Sequence, residues 1–344
     1  MFNRRNFLKT SLLASCGIGS MNFVEDSPKI LKPKALKRGD TIGLVCPAYS
    51  AFIKEEVRVT IESLQAMGFK VKIGDHVFDR YGYLAGKDED RARDINTMFA
   101  DKNIDAIMAM HGGWGCARLL TLLDYEAIKK NPKIFIGYSD VTALLLGIYS
   151  QTNMVTFHGP VGSSTWNPFT MEYFRSVLIE GESTRMSNPN KKSDGLVQTE
   201  DRINTIHEGK ATGKLLGGNL TVLSHIMGSM YLPDFKDTIL FVEDVNEDVY
   251  RVDRMLTQLK ISGILNQLKG FIFGKCTDCN PNKNYGSLTI EDLYEDHIKP
   301  LKIPAFSGAM IGHIKDKFTV PLGVEATIDA NAGTIKLNEA AVVR

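Results

Sequence analysis

Four short segments carry residue types that can do nucleophilic chemistry. The first is Ile134-Phe-Ile-Gly-Tyr-Ser-Asp-Val-Thr-Ala-Leu-Leu, in which an apolar strand pattern stops at Gly137-Tyr138 and a helix pattern follows at once. A serine on such a turn, Ser139, is held above the edge of a sheet with the free amides of the first helical turn pointing toward whatever it attacks. The full Gly-x-Ser-x-Gly of a nucleophile elbow is absent, because residue 141 is Val. Ser139 or Asp140 could equally do no more than cap the helix. The second segment is His111-Gly-Gly-Trp-Gly-Cys-Ala-Arg118, whose glycines allow an amide nest for an anion or simply a tight turn. It lacks the Lys-Ser/Thr of a phosphate loop and does not complete Gly-x-Gly-x-x-Gly. The third is Glu243-Asp-Val-Asn-Glu247 after the apolar run Thr238–Val242, with acids at a strand's carboxyl end, either catalytic or solvated. The fourth is His313, directly after Gly312, either a base or surface decoration.

These groups need a scaffold, and the periodicity supplies one. Strands are expected at 40–47, 69–73, 106–110 and 134–136, alternating with helices at 54–67, 88–100, 119–130 and 141–150. Apolar strands alternating with helices predict a parallel sheet covered on both faces. A polar stretch from Asn188 to Lys210 suggests a crossing into a second α/β domain. Strands at 238–242 and 270–274 follow, with helices at 220–230, 251–262 and 290–298. Short strands around an Asn-Ala-Gly turn (Asn331 to Gly333) close the chain. The reading is α/β with two domains, 36–187 carrying the serine and 188–344, with mixed strands, carrying the Glu and His. The active site is expected at their interface.

Composition narrows the partners. With 41 basic and 40 acidic residues the formal charge is +1, so there is no basic excess to neutralise a nucleic-acid backbone. Five scattered cysteines do not form a disulfide framework. Cys276-Thr-Asp-Cys279 lacks the second ligand pair that zinc needs, so the expectation is two loop cysteines, or a redox pair, and neither a metal nor a cofactor. Residues 1–35 read as an export signal and linker. Arg4-Arg5 before Phe7-Leu8-Lys9 resembles a twin-arginine signal, and Leu13-Ala-Ser-Cys16 resembles a lipobox in which Cys16 would be acylated. A periplasmic or membrane-anchored enzyme is therefore expected, the alternative being a cytoplasmic one with an uncleaved tail. The oligomeric state is left open, a homodimer included.

In order along the chain, these segments resemble the LD-carboxypeptidase family of serine peptidases, which also contains microcin C immunity-type peptidases. The likeness begins at Leu36-Lys-Arg-Gly-Asp and Leu84-Ala-Gly-Lys-Asp-Glu-Asp-Arg91. It continues through Gly112 to Gly115, Gly137-Tyr-Ser-Asp140, His158-Gly-Pro160 and Leu216-Gly-Gly-Asn-Leu220. It ends at Glu243-Asp-Val-Asn-Glu247, Tyr250-Arg-Val-Asp-Arg-Met-Leu256, Gly312-His313 and Val320-Pro-Leu-Gly323. The resemblance implies Ser139 as nucleophile, His313 as general base and Glu243 as the group orienting it. It places the oxyanion hole at Gly113 and Asp140. It implies removal of terminal D-alanine from peptidoglycan stem peptides, with muropeptides as the partners. Peptidyl- or aminoacyl-nucleotide hydrolysis, or muropeptide binding without catalysis, are the rivals. The family loop usually opens Arg-Gly-Gly-Tyr-Gly, and here His111 and Trp114 replace the Arg and Tyr, which bears on substrate recognition. His111 and Trp114 are the expected substrate-binding side chains.

Overall fold

The computed structural model describes residues 30–190, 196–281 and 286–344. The twin-arginine and Cys16 readings lie outside the described residues. No helix among the described residues is long and apolar enough to cross a membrane.

The first sheet is built from β1 (Thr41–Val45), β2 (Lys70–Ile73), β3 (Ala106–Ala109), β4 (Ile134–Gly137) and β5 (Thr156–His158). They run parallel in the order β5-β4-β3-β1-β2. Strands β3 and β4 read Ala-Ile-Met-Ala and Ile-Phe-Ile-Gly and are buried at every residue, as strands covered on both faces must be. Covering them are α1 (Lys54–Ala66), α2 (Asp88–Ala100), α3 (Tyr125–Lys130), α4 (Thr142–Thr152) and α5 (Pro168–Leu178). The expected helix at 119–130 is instead a 3-10 turn at Cys116–Leu119 and a separate α3. The Asp124 carboxylate accepts a bond from the Ala127 amide and starts the second helix afresh.

The second sheet contains β6 (Arg185–Met186), β7 (Asn204–His207), β8 (Lys210–Asn219), β9 (Thr238–Val245), β10 (Gly270–Thr277) and β11 (Ala305–Ser307). β12 (Val320–Leu322), β13 (Glu325–Asp329) and β14 (Thr334–Leu337) follow, β13 and β14 forming the hairpin around Asn331 to Gly333. Its order is β6-β14-β13-β8-β9-β10-β11-β7, with a parallel centre from β8 to β11 and antiparallel flanks. Its helices are α6 (Leu220–His225), shorter than expected, α7 (Val249–Ile261) and α8 (Ile290–Leu293), which a wider turn continues to Ile298.

The chain does not change domains only once near residue 188. Arg185–Met186 already pairs with β14, and β12 returns to join β5 as an antiparallel edge of the first sheet. Pro321 suits that place, since an edge strand has one side free of ladder bonds. Between the sheets lies α4, which packs on β4, β5 and β8. Leu144, Leu145, Leu146 and Ile148 in it have no exposed surface. Each such side chain contributes roughly 1.5–3 kcal/mol on burial, so packing from both domains fixes the helix that follows Ser139. The Asn219 amide at the end of β8 donates to Thr142 Oγ1 (3.0 Å), joining the two halves at that point.

Candidate active site

Ser139 stands where β4 ends. Tyr138 is extended, Ser139 adopts a left-handed φ of 62°, and a 3-10 turn over Ser139–Val141 leads into α4. A non-glycine residue pays about 1–2 kcal/mol for that conformation, and the packing of β4 and α4 on either side holds it there. The turn needs neighbours without side chains. A Cβ on Gly112 would lie 2.7 Å from Ser139 Cβ and 2.9 Å from its Oγ, so the glycine loop can approach the serine only because residue 112 is Gly.

The second domain delivers the other two groups. His313 lies on the loop between β11 and β12, with Nε2 2.9 Å from Ser139 Oγ and Nδ1 2.8 Å from Glu243 Oε2. Glu243 has no exposed surface and sits within β9, which runs three residues beyond the sequence expectation, so it is neither solvated nor in a turn. Burial opposes its ionisation, but the hydrogen bond and charge of His313, helped by nearby His158, prevail and hold its carboxyl below the usual range. Gly312 adds a second close approach: a Cβ there would come 3.0 Å from Glu243 Oε2.

The remaining acids of that segment have other partners. Asp244 accepts bonds from Asn219 Nδ2 (3.0 Å), the Thr221 amide (2.9 Å) and Thr221 Oγ1 (2.8 Å), tying β9 to the start of α6. Burial and then the Glu243 charge push its carboxyl up to about 6. Glu247 accepts from Thr221 Oγ1 at 3.3 Å and lies 3.8 Å from Arg251 Nε.

Asp140 is buried and accepts the Cys116 amide at 2.7 Å, fastening the serine turn to the loop that carries Gly113. Its own amide belongs to the 3-10 turn after the nucleophile. Arg91, whose side chain is fully buried, secures the same loop through the carbonyls of Pro47 and Gly115 and the Asp88 carboxylate. In the sequence Arg91 is only one residue of the segment Leu84 to Arg91, with nothing to mark an anchoring role. An arginine on a charged helix reads as solvated, and only its burial reveals the anchoring role.

A cavity of about 460 Å³ opens over Ser139, with Tyr49, His111, Gly113, Trp114, Val161 and His313 among its walls. His111 bonds Ser163 Oγ through Nδ1 (3.0 Å) and lies 3.6 Å from Glu56 through Nε2. Burial lowers its pKa despite that acid. Trp114 is 61% exposed and meets Tyr49 and Tyr83 edge-on, forming an aromatic rim. Tyr49 and Ser163 were not singled out in the sequence, where nothing distinguishes them from loop residues.

Cys276 and Cys279 are disulfide-bonded to each other, the redox-pair alternative and not the two unpaired loop cysteines expected from the sequence. Between them Thr277 Oγ1 donates to the His313 carbonyl (3.2 Å), so this turn also supports the histidine. Among the described residues, His76, Asp79 and Asp90 are close enough together to hold a metal ion. Arg93 already donates to Asp90 at 2.7 Å and stands 3.3 Å from His76, an arrangement poorly suited to a second cation.

A hydroxyl, an imidazole and a buried carboxylate in hydrogen-bonded series can activate the hydroxyl for attack on an acyl carbon. The comparisons with known proteins agree with that chemistry. Residues 42–159 match the LD-carboxypeptidase N-terminal domain and residues 212–328 the LD-carboxypeptidase C-terminal domain. The "Probable murein peptide carboxypeptidase" of Bacillus subtilis is 35% identical over 318 residues, covering 91% of this chain and 93% of that protein. The microcin C7 self-immunity protein MccF, known from Escherichia coli, superposes with a TM-score of 0.82 at 31% identity, covering 91% of this chain and 99% of its own. The muramoyltetrapeptide carboxypeptidase of Oxalobacter formigenes gives a TM-score of 0.75 at 28% identity, covering 88% of this chain and 100% of its own. With both domains matched in order over most of its length, the chain belongs to the LD-carboxypeptidase family of serine-type hydrolases.

Proposed function

We propose that this protein is a serine carboxypeptidase that removes the terminal D-alanine from peptidoglycan stem tetrapeptides by hydrolysing an L–D amide. The observation that carries the reading is the unbroken series Ser139–His313–Glu243 beneath an open cavity. His313 Nε2 takes the Ser139 proton as Oγ attacks the amide carbonyl, and Glu243 holds the imidazole tautomer and stabilises the imidazolium. Backbone amides at Gly113 and Asp140 stabilise the oxyanion, each such donor being worth about 10²–10³ in rate. His313 then protonates the departing amine, and water hydrolyses the acyl-enzyme. Incubating the protein with a purified stem tetrapeptide and following the mass of the products tests this. Loss of one terminal D-alanine is expected, and an intact tetrapeptide would refute it.

The likeness to MccF favours one second reading, hydrolysis of aminoacyl- or peptidyl-nucleotide compounds. Turnover of an aminoacyl sulfamoyl nucleoside in preference to the tetrapeptide would select it. We also propose that residues 1–35 export the enzyme, with Cys16 as the site of a lipid anchor, so that stem peptides are trimmed outside the cytoplasm. Arg4, Arg5 and the short apolar run before Cys16 support this.

A further inference from the structure

A carboxypeptidase must recognise a free carboxylate on the residue it releases, and the triad does not supply that. The departing residue has to lie beside His313, because the imidazole returns its proton to that residue's amine. In an α-amino acid only Cα separates the amine from the carboxylate, so the anion site must be close to His313 as well. Among the described residues, the walls of the cavity over Ser139 include no permanent cation. His111 there is made less basic by burial and has Glu56 beside it.

A second cavity, of about 340 Å³, adjoins the first and shares Tyr138, Ser163 and His313 with it. Its distinctive walls are Ser164, Thr165, Lys315 and Lys317. Lys317 is only 5% exposed, and its Nζ stands 4.5 Å from the centre of the Tyr138 ring, the same ring that His313 meets at 5.0 Å. Among the described residues its ammonium has neither an ion pair nor a hydrogen bond. Glu243 favours the charge from beyond ion-pair distance and is committed to His313. Asp316, the adjacent acid, faces Asn167 at 2.7 Å. Burial lowers the Lys317 ammonium to about 8, so it is still mostly charged at neutral pH. Among the described residues the Tyr138 ring is its one neighbour of complementary charge. A largely buried cation with no anion against it is costly, and a substrate anion would offset that cost. Ser164 Oγ accepts the Val161 amide at 3.0 Å, which leaves its own proton to donate.

We propose that Lys317, with the Ser164 hydroxyl, forms the subsite for the C-terminal carboxylate of the departing residue. The assignment rests on the carboxypeptidase reading above and adds the group that makes the enzyme an exopeptidase.

The test compares a stem tetrapeptide ending in D-alanine with the same peptide ending in D-alaninamide, on wild-type protein, Lys317→Met and Lys317→Arg. Wild type should prefer the acid in kcat/KM by about 50-fold, in keeping with the loss of a charged hydrogen bond. In Lys317→Met that ratio should fall to within about threefold of one, and Lys317→Arg should restore most of it, whereas a merely structural role would lower both substrates alike. Should the methionine variant fail to fold, Lys317→Gln carries the same comparison. A folded variant that keeps the wild-type ratio overturns the subsite and leaves the carboxypeptidase reading standing. Equal wild-type rates on acid and amide overturn both. If wild type cleaves neither peptide, the carboxypeptidase reading fails by itself, and calorimetric binding of the two peptides decides the subsite. Acid-selective binding that Lys317→Met abolishes would uphold it, and binding with no acid preference would refute it.

Discussion

At the scale of single residues, the site divides labour between groups that react and groups that hold them. Ser139→Ala, His313→Ala and Glu243→Ala should each lower kcat by at least about 10³, and the double variants should lose little more, because the members of such a series act as a unit. Near wild-type turnover of Ser139→Ala would remove the nucleophile assignment. His158 gives a prediction about stability. It is buried edge-on between Tyr138 and Phe241, and burial outweighs the nearby Glu243 charge to bring its pKa down to about 4. In the unfolded chain a histidine titrates near 6.5. Between those values the unfolded state binds the extra proton, so stability is full above pH 6.5 and is lost as the pH falls toward 4. His158→Phe keeps an aromatic ring in place but has no proton to bind. Denaturant unfolding at several pH values should show a shallower acid loss in the variant, by up to roughly 3 kcal/mol at pH 4. Parallel curves would place the acid sensitivity elsewhere.

At the scale of elements, two strand ends and two loops meet, and the contacts between them set the geometry. The glycine loop comes within van der Waals distance of the serine turn at Gly112 and is tied to it by the Asp140–Cys116 bond. Gly112→Ala should therefore displace the turn, costing about 10²-fold or more in kcat, while the melting temperature changes little because the sheet cores are untouched. A variant that unfolds outright would show that the approach matters to the fold itself. Asp140→Asn retains an acceptor for the Cys116 amide and should keep far more activity than Asp140→Ala. Equal losses in the two would mean that the bond does not fix the loop.

At the scale of the whole molecule, the nucleophile comes from one sheet and the base and its partner from the other, so activity requires both halves to be docked. α4 and the Asn219–Thr142 bond provide that docking beside the serine. The N-terminal segment belongs to this scale too, since it is expected to decide where the enzyme works. Fractionating cells that express the full chain and an Arg4→Lys/Arg5→Lys variant should move the protein from the exported to the cytosolic fraction. Wild type already in the cytosol, unaffected by the substitution, would overturn export.

The sequence by itself determined the parallel first sheet, since runs such as Ile134-Phe-Ile can be satisfied only between two covering layers. It also marked Ser139, Glu243 and His313, through the ordered set of segments around them rather than through any one of them. It did not show β8, whose glycines at 213, 217 and 218 interrupt the alternation that announces a strand. Nor did it show that β12 returns to the first sheet, because edge pairing is decided by which strand end lies free in space. Residues 174 positions apart, as Ser139 and His313 are, leave no local trace of a 2.9 Å contact. The same holds for the burial of Arg91 and Lys317: a charged side chain on a helix or loop looks solvated until the surrounding fold encloses it. Only the tertiary structure, by packing two sheets against α4, decided which of the polar residues face one another.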